Sequence, residues 1–512
     1  MGAVSSALSE STLSRVTGQK ILASNFRNIT PNLPQYIAVL GEANTANQAT
    51  IDINPFEFTN HAEVGNRYGW GSPLHQQARI LRPVNADLVS GVKTVIYPQL
   101  EETATATVIK KSLTVATTIL KNARHTLVIN GRRSLEGVSY SYDLVKGQSA
   151  ADVRATIVAT VSAALSAPCS AAEADNVIDF TTKWAGATSS ELNIEFDTNG
   201  TTEIGIVYAE VSKVDGTGAV DITATLALFQ DLWITMVTNP YGPSYFDELE
   251  AFNGVPDEDT PTGRYLPTVF KPFCSYFGTV ASTKTAVLAI TDVTARKSQV
   301  TNVHCPAPNS AGFPWEAAAN MIATTALISN DKPHQGNGGL QYFDMPVPTN
   351  LNIGDFAEYS SRDLMAKAGS STVTLKAGKY QVEDFETTYH PDGEFPAKYR
   401  KVRDLMVNWN IAFGWLIIMA ANIQDKTITL DGQPVRVANT ISPSGAKQLM
   451  FNYFSDLQLR ALINNKGFSE NSALAAINDV NAARLDLQFK TKITSTADQV
   501  STDNYWDFTF SS

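Results

Sequence analysis

Along much of the chain apolar residues either alternate with polar ones or run in short unbroken blocks, and the two patterns predict different elements. Leu33–Gly41 (LPQYIAVLG) and Val92–Tyr97 (VKTVIY) are short apolar blocks bounded by prolines, which predicts strands. From about residue 105 the period becomes two. Leu113, Val115 and Thr117 share one face, and so do Leu127 and Ile129 ahead of a turn at Asn130-Gly131. Ser149, with Asp152 three residues on, then opens a helix whose apolar positions Val153, Ile157, Val161 and Leu165 recur every four residues. Strands resume at Val177–Phe180 and Leu192–Phe196, so this stretch reads as a β-rich module carrying one helix.

Beyond residue 220 helical and extended stretches alternate. Trp233–Val237, Tyr276–Val280 and Ala286–Ile290 read as strands, Ser244–Phe252 and the Ala-rich Trp315–Ile328 as helices. That rhythm predicts an α/β layer around a buried sheet. Farther on, Thr374–Lys376, Gln381–Glu383 and Glu386–Tyr389 look extended, and Val402–Ile423 is a long apolar-periodic helix. A hairpin is expected around Asp431-Gly432, a helix over Ala446–Leu462, and final strands at Leu485–Ile493 and Tyr505–Phe510. Residues 1–30 are polar with isolated apolar positions and read as an extended arm. The expected fold class is α+β and multidomain.

Composition narrows the function. The 512 residues carry 39 Lys+Arg against 50 Asp+Glu, a net charge of −11, and show no basic block. Nucleic-acid binding, which needs clustered cations against phosphate, is not expected. Only 17% of residues are charged, below the usual ~25%, so the surface is largely Ser, Thr, Asn and Gln. Such a surface repels copies of itself weakly and suits a protein that packs against its own kind. The most apolar run, Ile411–Ala421, is far short of the ~20 residues of a membrane span, so it is expected to be a buried helix.

Candidate chemistry is sparse. Cys169, Cys274 and Cys305 include no CxxC pair, and the six histidines include no H-x-x-x-H pair on a helix face. His304-Cys305 is the one adjacent pair of ligand types and reads as structural. The acidic run Asp257-Glu258-Asp259 lacks the glycine turn and distal glutamate of a calcium loop. There is no G-x-S-x-G elbow or P-loop, and the Gly-rich 335–339 segment reads as a polar loop. No catalytic, cofactor or metal residue is therefore assigned, no cofactor is expected, and the chain is not expected to be an enzyme.

Four segments, taken in order, do carry a resemblance. They are FRNITPNLPQYIAVLGEAN (26–44), the stretches 125–168 and 177–196 with their I-N-G turn, Gly147, Ser149-Ala150-Ala151, Val153 and Lys183-Trp184-x-Gly186, the stretches 232–252, 273–283 and 307–323 with Pro314-Trp315-Glu316 opening a helix, and 380–411 together with NDVNAARLDLQFKTKI (478–493). In this composition and order they resemble the tail sheath proteins of contractile-tailed bacteriophages, of the Mu-like type. At the first segment Thr30 intervenes before Pro31, and the family's arginine is missing.

The resemblance implies a central α/β sheath domain formed by middle and C-terminal segments, an inserted β-rich outer module with one helix, and extended N- and C-terminal arms. The corresponding division is 1–30 as an arm for intersubunit strand exchange, 31–104 as the first part of the core and 105–210 as the outer module. It continues with 211–350 as the central α/β domain, 351–483 as a C-terminal tube-facing domain and 484–512 as terminal strand and arm. It further implies stacked hexameric rings around a tail tube, contraction that drives the tube through a host envelope, and contacts with the tube, baseplate and tail terminator proteins. No nucleic acid or membrane partner is implied, and the place is the virion tail, assembled in the bacterial host cytoplasm. Leu485, Leu487, Phe489, Trp506, Phe508 and Phe510 alternate with polar residues and are the expected exchange strands. Lys447, Asp456, Arg460 and Lys466 are the expected tube-facing charges. The alternatives are the sheath of a bacterial contractile injection system, which shares the mechanism, and a hydrolase acting on host surface material.

Overall fold

The computed structural model describes residues 30–503 apart from 85–87, 102, 103, 116, 117 and 337. The Tyr505–Phe510 strand expected from the sequence lies outside them, as does Thr117. The fold is mixed α+β, with two compact units. One comprises Asn32–Ile411 and the chain from Ile493 onward, the other Ala412–Lys492 with Thr30 and Pro31.

The larger unit is organised by a six-stranded sheet in the order Asn302–Pro306, Cys274–Thr279, Met236–Asn239, Tyr36–Glu42, Lys93–Gln99, Phe56–Glu57. The first five strands are parallel and the two-residue edge strand is antiparallel. Ile37, Ala38, Val39 and Leu40 are all buried, so both faces of the first strand are covered. This is why its sequence is an unbroken apolar block rather than an alternation. Helix Pro73–Leu81 packs on one end of this layer. Ser72 caps it by accepting from the His75 amide, and Pro73 supplies the pre-set φ of a first helical residue. Helix Pro314–Asp331 starts with the Glu316 carboxylate accepting from the Phe313 amide at 3.1 Å. Its first residue lies so close to the sheet that a Cβ on Gly278 would fall 1.7 Å from the Pro314 carbonyl oxygen, so only glycine fits there.

Between Lys93–Gln99 and Met236–Asn239 the chain leaves the sheet and builds the β-rich module. A four-stranded antiparallel sheet runs Ile206–Val214, Ala106–Val115, Val177–Ala185, Cys169–Ala174. A three-stranded one runs Ile194–Asp197, Ala123–Ile129, Ser141–Leu144. Helix Ala150–Ala163 carries the expected capping box, Ser149 and Asp152 each satisfying the other's backbone amide. Val153, Ile157 and Val161 join Leu127, Ile129, Ile178 and Phe180 in one core. Leu165, expected on the same stripe, lies beyond the helix end and is 58% exposed. Asn130 (φ 43) and Gly131 (φ 72) form the tight turn the sequence predicts, with Ile129 and Arg132 exchanging hydrogen bonds across it.

Three local expectations are corrected. Ala286–Ile290 lies within a helix, Lys284–Thr291, started by the Thr283 hydroxyl accepting from the Ala286 amide. Its apolar block is short and equally compatible with either element, and the cap decides. Glu386–Tyr389 is not a regular strand. It bridges Val303 through Thr387 and sends the Thr388 amide to the Asn302 carbonyl, lining the outer edge of the central sheet. Around Asp431-Gly432 there is no hairpin. Thr427–Ile428 and Thr440–Ile441 pair in parallel across a long loop, because too few alternating residues flank the turn to zip it.

In the smaller unit, helices Pro443–Leu459 and Lys466–Ser472 accompany a two-stranded antiparallel sheet, Leu474–Ile477 with Leu485–Gln488. The division between the units falls inside helix Val402–Asn422. Among the described residues this helix alone is long and apolar enough to cross a membrane by length and composition. Val402, Leu405, Met406, Val407 and Trp409 in its first half are buried. Of the run Ile411–Ala421, expected to be buried, only Ile411, Gly414 and Trp415 are, and Leu416 is 42% exposed, so the expectation fails for the second half of the helix.

Candidate functional site

In an open parallel sheet the ligand crevice forms at the carboxyl ends of the strands, where the direction of winding reverses. Here the reversal falls between Tyr36–Glu42 and Met236–Asn239, so the crevice would open beside Glu42 and Asn239. The inserted module fills that position. Trp184, at the end of strand Val177–Ala185, is fully buried and meets Phe313 (5.8 Å between rings, 66°) and Trp315 (6.1 Å, 79°) edge-on. Its indole N–H donates to Thr188 Oγ1 at 3.1 Å, and Thr188 in turn donates to Glu42 Oε1 at 2.8 Å. Trp315 is fixed by donating to Gln76 Oε1. The place where an enzyme of this architecture holds its substrate is thus occupied by three aromatic rings.

Among the described residues no cation stands beside Glu42. Burial pushes its carboxyl up to about 7, with Glu101 adding to the effect and the Thr188 hydroxyl opposing it. The sign of the linkage follows. Unfolded, the group ionises near 4.5, and folded it keeps its proton to about 7, so stability falls as pH rises across that window. Relative to Glu42→Gln, which cannot ionise, the native chain is expected to lose about 2.5 kcal/mol between pH 5 and pH 8. Urea midpoints of the two proteins at both pH values check this, and a constant difference would refute it.

A second polar cluster joins module to sheet. Glu316, 1% exposed, accepts from Arg79 Nη2 through Oε1 and from Arg132 Nη1 through Oε2, both at 2.9 Å. Arg79 also pairs with Asp344, and Arg132 donates to the Asp344 carbonyl oxygen at 2.5 Å. Burial works against the Arg79 charge, but Glu316 and Asp344 outweigh it and raise its pKa.

Close by, His61 Nδ1, His75 Nε2 and a Glu136 oxygen converge, at 3.2 Å between the rings and 3.1 and 3.7 Å from each ring to the carboxylate. Those spacings resemble the roughly 3.4 Å ligand edges of a tetrahedral zinc site. The hydrogen-bond roles do not. The Gly71 amide donates to His75 Nδ1 at 3.2 Å, so the neutral ring carries its proton on Nε2 and has no lone pair there to give a cation. No motif spacing announces this cluster, since its members lie on two helices and a distant hairpin.

The other candidates have local explanations. His304 is buried, bonded to Thr279 Oγ1 and Ser370 Oγ at 2.7 Å each, and burial holds its pKa down at about 3. Cys169, Cys274 and Cys305 are buried free thiols. Asp257 accepts from the Asp259 and Thr260 amides, closing its own loop. A depression of about 610 Å³ lined by Asn44, Asn47, Asn66, Trp70 and Lys183 presents amides and one ammonium, with no nucleophile–base pair.

The residues expected to meet other subunits are placed as follows. Leu485 and Leu487 sit opposite Ile477 and Ala475 within the chain's own two-stranded sheet. Phe489 packs against Trp415 (5.4 Å) and Phe454 (5.2 Å). Trp506, Phe508 and Phe510 lie outside the described residues. Lys447 stands over the Phe451 ring at 5.7 Å, and Lys466 pairs with Glu470 at 3.2 Å. Asp456 and Arg460 pair at 3.4 Å and both bind the Thr30 hydroxyl. These charges are therefore engaged within the chain, and the Asp456–Arg460 pair holds Thr30.

Taken together, the chain is a mixed α+β protein whose sheet crevice is closed by its own insertion. No family model matches it, and no curated protein is similar to it. Among solved structures it is similar to the sheath tail protein from Desulfitobacterium hafniense, at 12% identity and a TM-score of 0.42 over 93% of this chain and 100% of that one. It is also similar to a chain in the anti-feeding prophage baseplate, at 11% identity and a TM-score of 0.35 over 58% and 76%.

Proposed function

We propose that the chain is the structural subunit of a contractile tail sheath of the Mu-like bacteriophage type. It polymerises as stacked hexameric rings around a tail tube, joins baseplate and terminator proteins at the ends, and contracts to drive the tube through the host envelope. The observation that carries this reading is the order of the four matching segments between residues 26 and 493, which spans most of the chain. Two features of the fold support it. The crevice that a hydrolase would need is filled by Trp184, Phe313 and Trp315. Leu474–Ile477 and Leu485–Gln488 each keep one edge without a strand partner among the described residues, as strand addition from a neighbour requires. In this reading contraction consumes no nucleotide, and the work comes from two alternative packings of the same subunits. The particle is the virion tail, assembled in the host cytoplasm.

Negative-stain electron microscopy of the concentrated full chain, alone and co-expressed with a tube protein, tests this. Striated hollow tubes or stacked rings are expected. Removing 1–29 or 504–512 takes away only residues outside the described fold and is expected to stop the tubes lengthening. Deletion from 484 would instead strip Phe489 from its packing against Trp415 and Phe454, confounding assembly with stability. Discrete particles under every salt and concentration, with and without the tube protein, would refute the proposal.

A further inference from the structure

The depression of about 610 Å³ is assembled from three parts of the larger unit. Asn44 and Asn47 follow strand Tyr36–Glu42, Asn66 and Trp70 lie on and just after helix His61–Tyr68, and Lys183 comes from strand Val177–Ala185 of the inserted module. Its volume falls within the roughly 300–1,000 Å³ of small-ligand sites. Lys183 is the single charged side chain in the lining. Its ammonium donates to the Leu165 carbonyl at 2.8 Å and to the Trp70 carbonyl at a long 3.5 Å, and among the described residues no carboxylate pairs with it. An ammonium has three hydrogens to give, so one remains. Burial lowers the Lys183 pKa, as it does for a cation that lacks a counter-ion.

Asn44 has the opposite deficit. It is 7% exposed, its Nδ2 donates to the Trp70 carbonyl at 2.9 Å, and its Oδ1 is buried with no donor among the described residues. A buried acceptor left unmet is costly, and folded proteins rarely keep one without a use. Asn44 Nδ2 and the Lys183 ammonium share the Trp70 carbonyl oxygen, so the spare donor and the unmet acceptor are neighbours in one wall. The backbone is shaped to bring Asn44 there: at Gly69 (φ 99) a Cβ would fall 2.2 Å from Asn44 Nδ2, so a side chain is excluded. The rest of the wall is polar and neutral. Asn66 accepts from the Trp70 indole N–H at 3.0 Å through Oδ1, which leaves its amide hydrogens for other partners. Glu101, which the Thr45 hydroxyl meets at 3.5 Å, is outside the lining and holds the Ala185 amide at 2.8 Å.

We propose that this depression binds a sugar acid of the hexuronic class, with the carboxylate on Lys183, one hydroxyl donating to Asn44 Oδ1 and the others facing the asparagine amides. The two deficits select this chemistry together. Sulfate would satisfy the ammonium but has no hydrogen for Asn44. A neutral sugar has the hydrogen but leaves the cation without an anion. An amino acid adds an ammonium group, for which the lining has no carboxylate. A polyhydroxylated carboxylate supplies both the charge-assisted acceptor and the donors. It comes either as a free monosaccharide or as a unit of an acidic polysaccharide, and the open side of the depression admits both.

Saturation-transfer NMR of the full chain at pH 7.5, with methyl glucuronide, methyl glucoside and a hyaluronan tetrasaccharide as probes, tests the site. The glucuronide is expected to bind about tenfold more tightly than the glucoside, the margin of one hydrogen bond to a charged group. Sulfate at equal concentration is expected not to displace it. Lys183→Met is expected to bring the glucuronide down to the level of the glucoside. Asn66→Asp keeps the acceptor for the Trp70 indole while adding a negative charge to the wall, and is expected to weaken glucuronide binding several-fold. Tighter binding of the tetrasaccharide than of the glucuronide supports a polysaccharide ligand, and equal binding supports a free sugar acid. The proposal fails if the glucuronide gives no transfer, if the glucoside binds as well, if sulfate displaces the glucuronide, or if Lys183→Met binds it unchanged. Should Lys183→Met not fold, unchanged glucuronide binding by Asn66→Asp overturns the proposal, and weakened binding supports it.

Discussion

Glu316→Ala is expected to destabilise the larger unit by about 3–5 kcal/mol, because it leaves two buried guanidinium groups without their shared anion. The carboxylate divides its oxygens between Arg79 and Arg132, and it also accepts from the Phe313 amide that opens helix Pro314–Asp331. After truncation the arginines retain only Asp344, whose side chain is 44% exposed and screened by water. The helix loses its N-terminal partner at the same time, a further cost of about 1 kcal/mol. Glu316→Gln keeps an acceptor for the amide and is expected to fall between alanine and the native chain. Urea unfolding of the three proteins at pH 7.5 gives the ranking. A loss under 1 kcal/mol for the alanine variant would show that water reaches the arginines and that the cluster does not hold the module in place.

Trp184→Ala carries a comparable penalty, about 3–5 kcal/mol, for a different reason. The indole is wholly buried among Phe313, Trp315 and the loop that covers Glu42, and neighbours that are themselves close-packed rings collapse poorly into the space. Trp184→Phe retains most of the ring and loses the hydrogen bond to Thr188, so a smaller loss is expected. The cavity left by alanine has the shape of an indole and an apolar lining, and added indole is expected to raise the melting temperature of Trp184→Ala but not of the native protein. Equal shifts in both would mean that the crevice had closed on itself or was never filled by this ring. The two variants separate the ionic and the aromatic parts of one junction, and their effects should add only where no side chain is shared.

Much of the architecture is legible along the chain because it is dictated locally. A short apolar block bounded by prolines can satisfy itself only as a covered strand, and 33–41 and 92–97 do so in the central sheet. Ser149 with Asp152, Asn130-Gly131, and Pro314-Trp315-Glu316 act within one turn of the backbone, and each does in the structure what its chemistry dictates. Local reading fails where the signal is short or shared. Ala286–Ile290 is an apolar block of five residues whose state was decided by the Thr283 cap, and the 431–432 turn had no zippering partners on either side.

The sites lie beyond local reading altogether. Glu136 reaches His61 and His75 across more than 60 residues, and Glu316 reaches Arg79 across 237. Neither spacing is a motif, because hydrogen bonding across a junction depends on where two separately folded surfaces meet. The same holds for Glu42, an ordinary glutamate at the end of an apolar strand until the Trp184 loop seals it from water. By itself, then, the sequence determined the periodicities, caps and turns, the low charge and the absence of any basic or nucleophilic motif, since these are properties of neighbours along a chain. Only the tertiary structure decided that the crevice of the central sheet is closed, that the module is fastened by buried ions and histidines, and that the charges near 456–460 hold the chain's own Thr30. The physical reason is that burial turns polar side chains into committed partners, and burial exists only once the layers have packed.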